Sequence, residues 1–342
     1  MRNKVLSLFK SKKNDLNMSY YTSATTAIYL FDFLDKLRLN KFPKNWFNLL
    51  NNDLNDLIKK IDKEENIFER SLLNFNYKDW TQNDENSIEK KTGEVYFNLW
   101  KNFESKEYFE QTAKYLNERF KKNEIKIKHF NNILDDGCGG GRYSIALKSL
   151  GIANVTGLDI SENSISYAKK SAQIVNSKVD FIEGSVLDLP MKNETFDFVF
   201  SNGVLHHTVD PQKGLDEIHR VLQKDGQCWL YLYGGKNTLF WDIVDFCREL
   251  LSTVPQNYVQ SLMKCLGYPP GRIFHRNDFF YVPIHQRYYI SEIEEMISKS
   301  GFSGYRKLNR GIGYDWDEII FENPNIDSYI YGEGEMRYLL KK

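Results

Sequence analysis

A glycine-rich run directly after a predicted strand limits what this chain can fold into. Residues 132–142 are NILDDGCGGGR, with Gly137, Gly139, Gly140 and Gly141 close together. Glycines at this point let the backbone approach a ligand at the start of the following helix. The run lacks the Gly-Lys-Ser/Thr ending of a P-loop, and Arg142 stands where a dinucleotide fingerprint has its third glycine. The sequence therefore predicts a tighter Gly-x-Gly-x-Gly ligand loop.

An acidic residue follows at the end of the next predicted strand. Asp159 closes the run VTGLDI, at the distance from the loop where a carboxylate accepts hydrogen bonds from ribose hydroxyls. We therefore expect a ligand that carries a ribose, whose neighbouring portion need not be a pyrophosphate.

Short β-rich runs alternate with helical segments over about residues 131–235. This alternation favours right-handed βαβ units and a parallel sheet with helices on both faces. The five strand candidates are NILDD, ANVTGLDI, KVDFIEG, TFDFVFSN and GQCWLYLYG. Before them, residues 18–130 space their apolar residues at helical intervals and show no strand pattern.

The alternation stops after Gly235. Residues 236–286 contain a helical stretch and a Pro-Pro-Gly sequence at 269–271 that favours a loop, so we interpret them as an insertion. A further helix follows in YISEIEEMISKSGF. The runs GYRKLNRG and DEIIFEN are the candidates for the last two strands.

The motifs together resemble class I S-adenosylmethionine-dependent methyltransferases, in particular the group of ubiquinone and menaquinone biosynthesis. Five runs match in order, over about residues 130–235: DDGCGGG, LDIS, FIEGSVLDLP, FDFVFSNGVLHH and HRVLQKDG. The resemblance implies a Rossmann-like α/β fold with a seven-stranded sheet. We expect an N-terminal helical region at 1–128, acting as a cap, lid or oligomerisation element. The methyltransferase domain would span 129–342, with a substrate-binding insertion at about 236–286.

The resemblance also assigns contacts to S-adenosyl-L-methionine, the implied cofactor. Asp135 and the backbone of the glycine loop would face the methionine amine, and Asp159 would bind both ribose hydroxyls. Ser185 departs from the family, which usually has an aspartate there that accepts from the adenine amino group. The complete predicted cofactor set is Asp135, Gly137, Gly139, Gly141, Asp159, Ile160, Ser185, Val186 and Asn202.

Methyl transfer by in-line displacement requires alignment of the nucleophile and, for a hydroxyl or ammonium acceptor, a base. His206 and His207 follow the fourth predicted strand, at the sheet edge where ligands of open α/β sheets bind. They are our candidates for the catalytic residues, although one of them could instead brace the loop.

The acceptor pocket is expected from the flanking regions. Tyr96 and Trp100 share one helix face and could form an aromatic lid against the sulfonium, or belong to a core stripe. Arg276 and Arg287 could clamp a carboxylate, or lie on a solvated surface. Tyr281 is a further candidate for an acceptor contact.

Composition narrows the function classes. Lys and Arg number 46, as do Asp and Glu, so the formal charge is zero and nothing global attracts nucleic acid or an anionic membrane. The four cysteines lack metal-ligand spacing, which predicts free thiols and no metal site. No apolar run has the length of a transmembrane helix, and the N-terminal apolar run is too short for a signal peptide. We expect a cytoplasmic enzyme that methylates a small-molecule metabolite, with a homodimer as the candidate assembly.

Two other functions stay open at this point. One is an RNA methyltransferase, although the fourth strand is followed by SNGVLHH and not by the Asn/Asp-Pro-Pro-Tyr/Phe run of exocyclic-amine methylation. The other is a non-catalytic subunit that binds S-adenosylmethionine.

Overall fold

The chain divides into two compact units, each of which is described by itself. The computed structural model describes residues 20–39, 43–57, 88–100 and 106–342, with the single positions 7 and 59. The helical unit combines the described residues before residue 86 with Asn237–Tyr281 and Asn325–Tyr331. The sheet unit combines Asn86–Lys236, Val282–Pro324 and Gly332–Lys342.

The sheet unit contains a seven-stranded sheet in the order β3-β2-β1-β4-β5-β7-β6. The strands β1 to β5 are parallel, and β7 is antiparallel to both of its neighbours. This confirms the predicted Rossmann-like α/β fold. The strands are β1 Asn132–Asp136, β2 Asn154–Asp159, β3 Asp180–Glu183, β4 Phe196–Asn202, β5 Leu222–Tyr231, β6 Gly304–Leu308 and β7 Arg337–Lys341.

The helices are numbered in chain order across both units. They are α1 Tyr20–Leu39, α2 at 46–57, α3 Ile88–Trp100, α4 Lys106–Lys122, α5 Arg142–Ser149, α6 Glu162–Ile174, α7 Pro211–Val221, α8 Leu239–Leu250, α9 Gln256–Cys265, α10 Pro270–Tyr281, α11 Ile290–Lys299, α12 Trp316–Glu322 and α13 Pro324–Tyr331. Local signals mark several starts. The Ser161 hydroxyl caps α6 by accepting from the Ser164 amide at 3.2 Å, and Asp210 caps α7, which has proline at its first position.

The central strands are buried on both faces, which explains their nearly continuous apolar sequences. On one face Leu134 and Val199 pack with α7 and α11, and on the other Ile133 and Phe198 pack with α4 and α5. Leu116 and the other apolar residues of α4 complete this second layer. Both α3 and α4 belong to the sheet unit. The chain passes from the helical unit to the sheet unit near residue 86, and the domain boundary at 128 stays a prediction.

The helical unit is built on aromatic contacts between α1 and the helices of the insertion. The Phe31 ring lies 5.8 Å from that of Phe240 and 5.0 Å from that of Phe280, both edge to face. The predicted helical character of the insertion is confirmed. The expected loop around the two prolines is wrong from Pro270 onward, because this proline begins α10, where its missing amide costs nothing.

The C-terminal part corrects one strand prediction. GYRKL forms β6 as expected, but DEIIFEN lies in α12, which buries Trp316 and Ile319 three positions apart and has Asp317 and Glu318 in its first turn. The last strand is instead formed by RYLLK, residues 337–341. Within the described residues, no helix is both long and apolar enough to cross a membrane.

Candidate functional site

The sheet order reverses between β1 and β4, and the glycine loop lies at this switch point. Gly137, Gly139 and Gly141 have φ values of 77°, 51° and 79°, in the left-handed region. A Cβ on Gly137 would lie 2.5 Å from a methyl carbon of Val204, and one on Gly141 would lie 2.9 Å from the Ala168 Cβ. Neighbouring side chains thus leave room for bare backbone only. Open α/β sheets bind ligands at this point of the fold.

Asp159 ties the loop to the end of β2. One oxygen accepts from the Gly139 amide at 2.8 Å, and the other accepts from the Ser161 amide at 3.0 Å. Burial raises the pKa of this carboxyl, although both backbone bonds favour its ionised form. Each oxygen retains a lone pair for a further donor. The carboxylate is therefore held in place for a ligand with two hydroxyls.

Two acids end β1 inside the protein. The Ser144 hydroxyl donates to Asp135 at 2.5 Å, and burial raises the pKa of Asp135 to about 7. Burial also raises the pKa of Asp136 to about 8, beside Ser201 in the adjacent strand. Carboxyls with pKa values this high have too few donors around them, and a cationic group of a ligand would compensate them.

The remaining cofactor candidates lie at the ends of β2, β3 and β4. Ile160 is half-buried and Val186 is buried, as expected for residues that pack against a flat ring. The Ser185 hydroxyl accepts from the Leu187 amide at 3.1 Å, so its own proton is available to a ligand acceptor. The Asn202 side chain accepts from the Trp229 indole at 3.0 Å, which fixes the end of β4.

The two histidines have different hydrogen-bond roles. His206 Nδ1 accepts from the Tyr233 amide at 3.2 Å, so its proton resides on Nε2, and burial lowers its pKa well below the usual value. His207 Nδ1 faces the Ile284 carbonyl, which can only accept, so His207 Nε2 carries the lone pair. His206 is therefore a neutral donor, and His207 is the imidazole with a basic nitrogen.

Helix α3 lies across this end of the sheet. Its Tyr96 hydroxyl lies 2.8 Å from His207 Nε2 and is the donor, given the His207 tautomer. Closer to β2, a Cβ on Gly93 would lie 2.9 Å from the Ser161 Cβ and 3.6 Å from Ile160. The helix thus touches both the adenine-side candidate Ile160 and the catalytic candidate His207. The Trp100 side chain lies outside the described residues.

The predicted acceptor residues do not lie in one unit. Arg276 and Tyr281 belong to α10 of the helical unit, whereas Arg287 belongs to the sheet unit. Arg276 is buried in an ion pair with Asp32, and the Tyr281 hydroxyl donates to the Val254 carbonyl at 3.0 Å. Arg287 contacts His285 at 3.1 Å. Arg276 and Tyr281 therefore already have partners within the helical unit.

Sequence reasoning missed Arg142 as a ligand candidate. Its Nε donates to the Thr112 hydroxyl at 2.9 Å, and its guanidinium lies 4.9 Å from the Tyr108 ring centre and 5.2 Å from that of Tyr143. In the described part of the chain no carboxylate pairs with it. A cation directly after the glycine run was the available signal. The described residues contain no cluster of histidine, cysteine and acidic side chains that could hold a metal ion.

Comparison with known proteins finds similarity to methyltransferases. Residues 134–230 match the family described as "Methyltransferase domain". Cycloartenol-C-24-methyltransferase 1 of Oryza sativa subsp. japonica is 32% identical over 33% of this chain and 33% of its own length. A demethylmenaquinone methyltransferase of Clavibacter sepedonicus is 36% identical over 28% of this chain and 38% of its own. The corresponding enzyme of Listeria welshimeri is 25% identical over 55% of this chain and 77% of its own.

Among solved structures, a SAM-dependent methyltransferase from Archaeoglobus fulgidus superposes with a TM-score of 0.43 at 14% identity, over 72% of this chain and 99% of that one. The chain spans well under half the length of the first two relatives. The matched part of the chain, residues 134–230, is thus similar to a methyltransferase domain, as the motifs predicted.

Proposed function

We propose that the protein transfers a methyl group from S-adenosylmethionine to a small-molecule acceptor. The observation that carries this proposal is the Asp159 carboxylate, bonded to the Gly139 amide at the switch point of the sheet. The relatives named for sterol and quinone methylation support a small-molecule acceptor.

The residues at the sheet edge suit the parts of this cofactor. Asp159 would accept from both ribose hydroxyls, with Ile160 and Val186 packing on the adenine and Ser185 donating to a ring nitrogen. Asp135 would accept a hydrogen bond from the methionine ammonium. This positive charge would stabilise the ionised form of a carboxyl whose pKa burial raises to about 7. The Asn202 backbone carbonyl would serve the same end of the ligand. Arg142 would bind the methionine carboxylate, because it lies beside the glycine loop without an acidic partner among the described residues.

Held by Asp159, Asp135 and Arg142, the cofactor would supply an electrophilic methyl group, and the electrons of its broken carbon–sulfur bond would remain on a neutral thioether. The protein has to align the acceptor, exclude water and remove a proton where the acceptor carries one. Helix α3 would exclude water, because it lies over the ends of β2 and β4.

The Tyr96–His207 pair would remove the proton from the acceptor. A proton leaving the acceptor would pass to the Tyr96 oxygen as the Tyr96 proton moves to His207 Nε2. The Ile284 carbonyl, which accepts from the other ring nitrogen, would stabilise the imidazolium. His206 would orient the acceptor as a donor through its Nε2. Arg287, Arg276 and Tyr281 stay predictions as acceptor contacts.

Calorimetry with S-adenosylhomocysteine, the demethylated product, tests the binding part of the proposal. Micromolar binding that Asp159→Ala abolishes is expected, and absence of binding by the wild-type chain would refute it. Conversion of S-adenosylmethionine in the presence of a small-metabolite extract then separates an enzyme from a non-catalytic binder. The same assay with RNA would separate the two acceptor classes.

A further inference from the structure

A buried charge cluster lies on the other side of β5 from the catalytic candidates. It contains the guanidinium groups of Arg119 and Arg337 and the carboxylates of Asp315, Asp317 and Glu335. Arg119 pairs with Asp315 at 2.7 Å, and Arg337 pairs with Asp317 at 2.7 Å and with Glu335 at 2.8 Å. The neighbouring Glu318 is compensated separately by Lys122 and Arg310. Within these five groups two cations face three anions, and Lys307 acts on Asp317 from outside them.

Glu335 is the least compensated of the three acids. Two cations hold the pKa of Asp315 at about 2, whereas burial raises the pKa of Glu335 to about 7. The Glu335 side chain is also the most exposed of the three acids, at 13% against 3% for each of the others. Its Oε2 accepts from Arg337 and from the Trp316 amide at 2.9 Å. Its Oε1 receives one bond, from the Tyr231 hydroxyl at 3.3 Å. Oε1 therefore has room for another donor.

The backbone around this carboxylate is shaped to hold it. Glu335 lies between Gly334, with φ 84°, and Met336, a buried non-glycine residue with φ 39°. A Cβ on Gly334 would lie 2.4 Å from an Asp317 oxygen. Left-handed backbone at a non-glycine residue is costly and is concentrated at functional sites. The segment directly precedes β7, which is antiparallel to β5, so it lies at the same sheet edge as the glycine loop.

A single ring connects Glu335 to the catalytic candidates. Tyr231 ends β5 and is paired in register with Asn202. Its ring lies 5.8 Å from that of His206, and a Cβ on Gly203 would meet it at 3.5 Å. The Tyr231 hydroxyl reaches Glu335 while the ring contacts the loop that follows β4. The Tyr231 side chain therefore extends from the His206 ring to the Glu335 carboxylate.

We propose that Glu335 is the specificity residue for the methyl acceptor, and that its Oε1 binds a protonated amine of that acceptor beside the Tyr231 ring. The inference rests on the proposed function, because it assigns the substrate class of the same site. An ammonium group would supply a positive charge beside the least compensated acid and a donor for Oε1. The rings of Tyr231, Tyr233 and His206 provide an aromatic surface for the rest of a small amine.

The experiment compares two probes of nearly equal shape, phenethylamine and 2-phenylethanol, on protein saturated with S-adenosylhomocysteine. The wild-type chain is expected to bind the amine at least about tenfold more tightly, since bonds to charged groups exceed neutral ones by this order. Glu335→Gln keeps the shape and an acceptor oxygen but removes the charge, so the preference should fall to about twofold or less. Glu333→Gln is the matched control, an exposed glutamate two residues away, and should keep the preference.

A purely structural role would give a different result, in which Glu335→Gln lowers the Tm and leaves the amine preference unchanged. That result overturns the inference, as does an equal affinity for both probes or no binding of either by the wild-type chain. Should Glu335→Gln not fold, amide NMR of the wild-type chain decides. The Trp316 amide, which donates to Glu335, should shift at saturating phenethylamine, and no shift overturns the inference. Failure to bind S-adenosylhomocysteine would instead count against the proposed function itself.

Discussion

Removal of the Asp159 carboxylate should weaken cofactor binding far more than it destabilises the protein. Each carboxylate oxygen holds one backbone amide, at 2.8 Å and 3.0 Å, and has one lone pair left for a ribose hydroxyl. Hydrogen bonds to charged groups contribute about 1.5–3 kcal/mol each. Two such bonds amount to about 3–6 kcal/mol, or roughly a 10²- to 10⁴-fold rise in the Kd for S-adenosylhomocysteine on Asp159→Ala.

Asp159→Asn gives a sharper test, because an amide has only one oxygen. Either the Gly139 amide or the Ser161 amide must then face an NH₂ group, which leaves a buried donor unpaired at about 1–3 kcal/mol. For domains in this size range each kcal/mol corresponds to a Tm decrease of about 2–4 °C. The variant should therefore melt several degrees lower and bind the product more weakly by roughly ten- to a hundredfold.

Calorimetry and thermal melting measure the two effects on the same samples. Asp180→Asn is the matched control, since Asp180 is an exposed aspartate at the opposite end of the adjacent strand. The control should match the wild-type chain in both measurements. An Asp159→Ala protein that is folded and binds the product within about threefold of wild type would refute the assignment of this carboxylate.

Three further predictions follow from the same site. Product affinity should rise as the pH increases through about 7 and level off above about pH 8. The reason is that the ionised form of Asp135 accepts an ammonium, and burial raises its ligand-free pKa to about 7. A calorimetric pH series checks this, and Asp135→Asn should flatten the curve. Gly93→Ala should force α3 away from Ser161, at a cost of about 1–3 kcal/mol, and so raise the product Kd roughly five- to a hundredfold. The Tm of the ligand-free protein should hold or rise, because alanine favours the helix. An unchanged Kd would contradict the close contact. Tyr96→Phe should lower kcat by about 10²- to 10⁴-fold with little change in cofactor affinity. The kcat is measured with an acceptor identified in the turnover assay. A decrease in kcat below about fivefold would exclude the Tyr96–His207 pair as the proton acceptor.

The elements that sequence could predict are those with a local signal. The β1 run NILDD and the glycine loop were evident because a buried parallel strand needs continuous apolar residues and left-handed backbone needs glycine. The strand β7 was missed because RYLLK is short and becomes a strand only by pairing with β5 and β6. DEIIFEN has strand-like residues, yet its acids at the start suit a helix N-terminus.

The contacts between distant residues could not be predicted in the same way. Tyr96 and His207 are 111 positions apart, and Arg276 and Asp32 are 244 apart. The sequence identified each of Tyr96, His207 and Arg276 as a candidate, but only the packing of helices decides which partner each side chain meets. For Arg276 the partner is an acid of its own unit, and for Tyr96 it is the basic nitrogen of an imidazole.

In helix α3, Gly93 packs against Ser161 just before α6, and the Tyr96 hydroxyl contacts His207. One helix therefore contacts both the residues proposed for the nucleoside and the residue proposed for proton removal. Any withdrawal of that helix that lets the nucleoside leave also separates the phenol from the imidazole. If the pair is the proton acceptor proposed above, it would exist only while α3 covers the nucleoside. This coupling would restrict proton removal to the state in which α3 also shields the sulfonium from water.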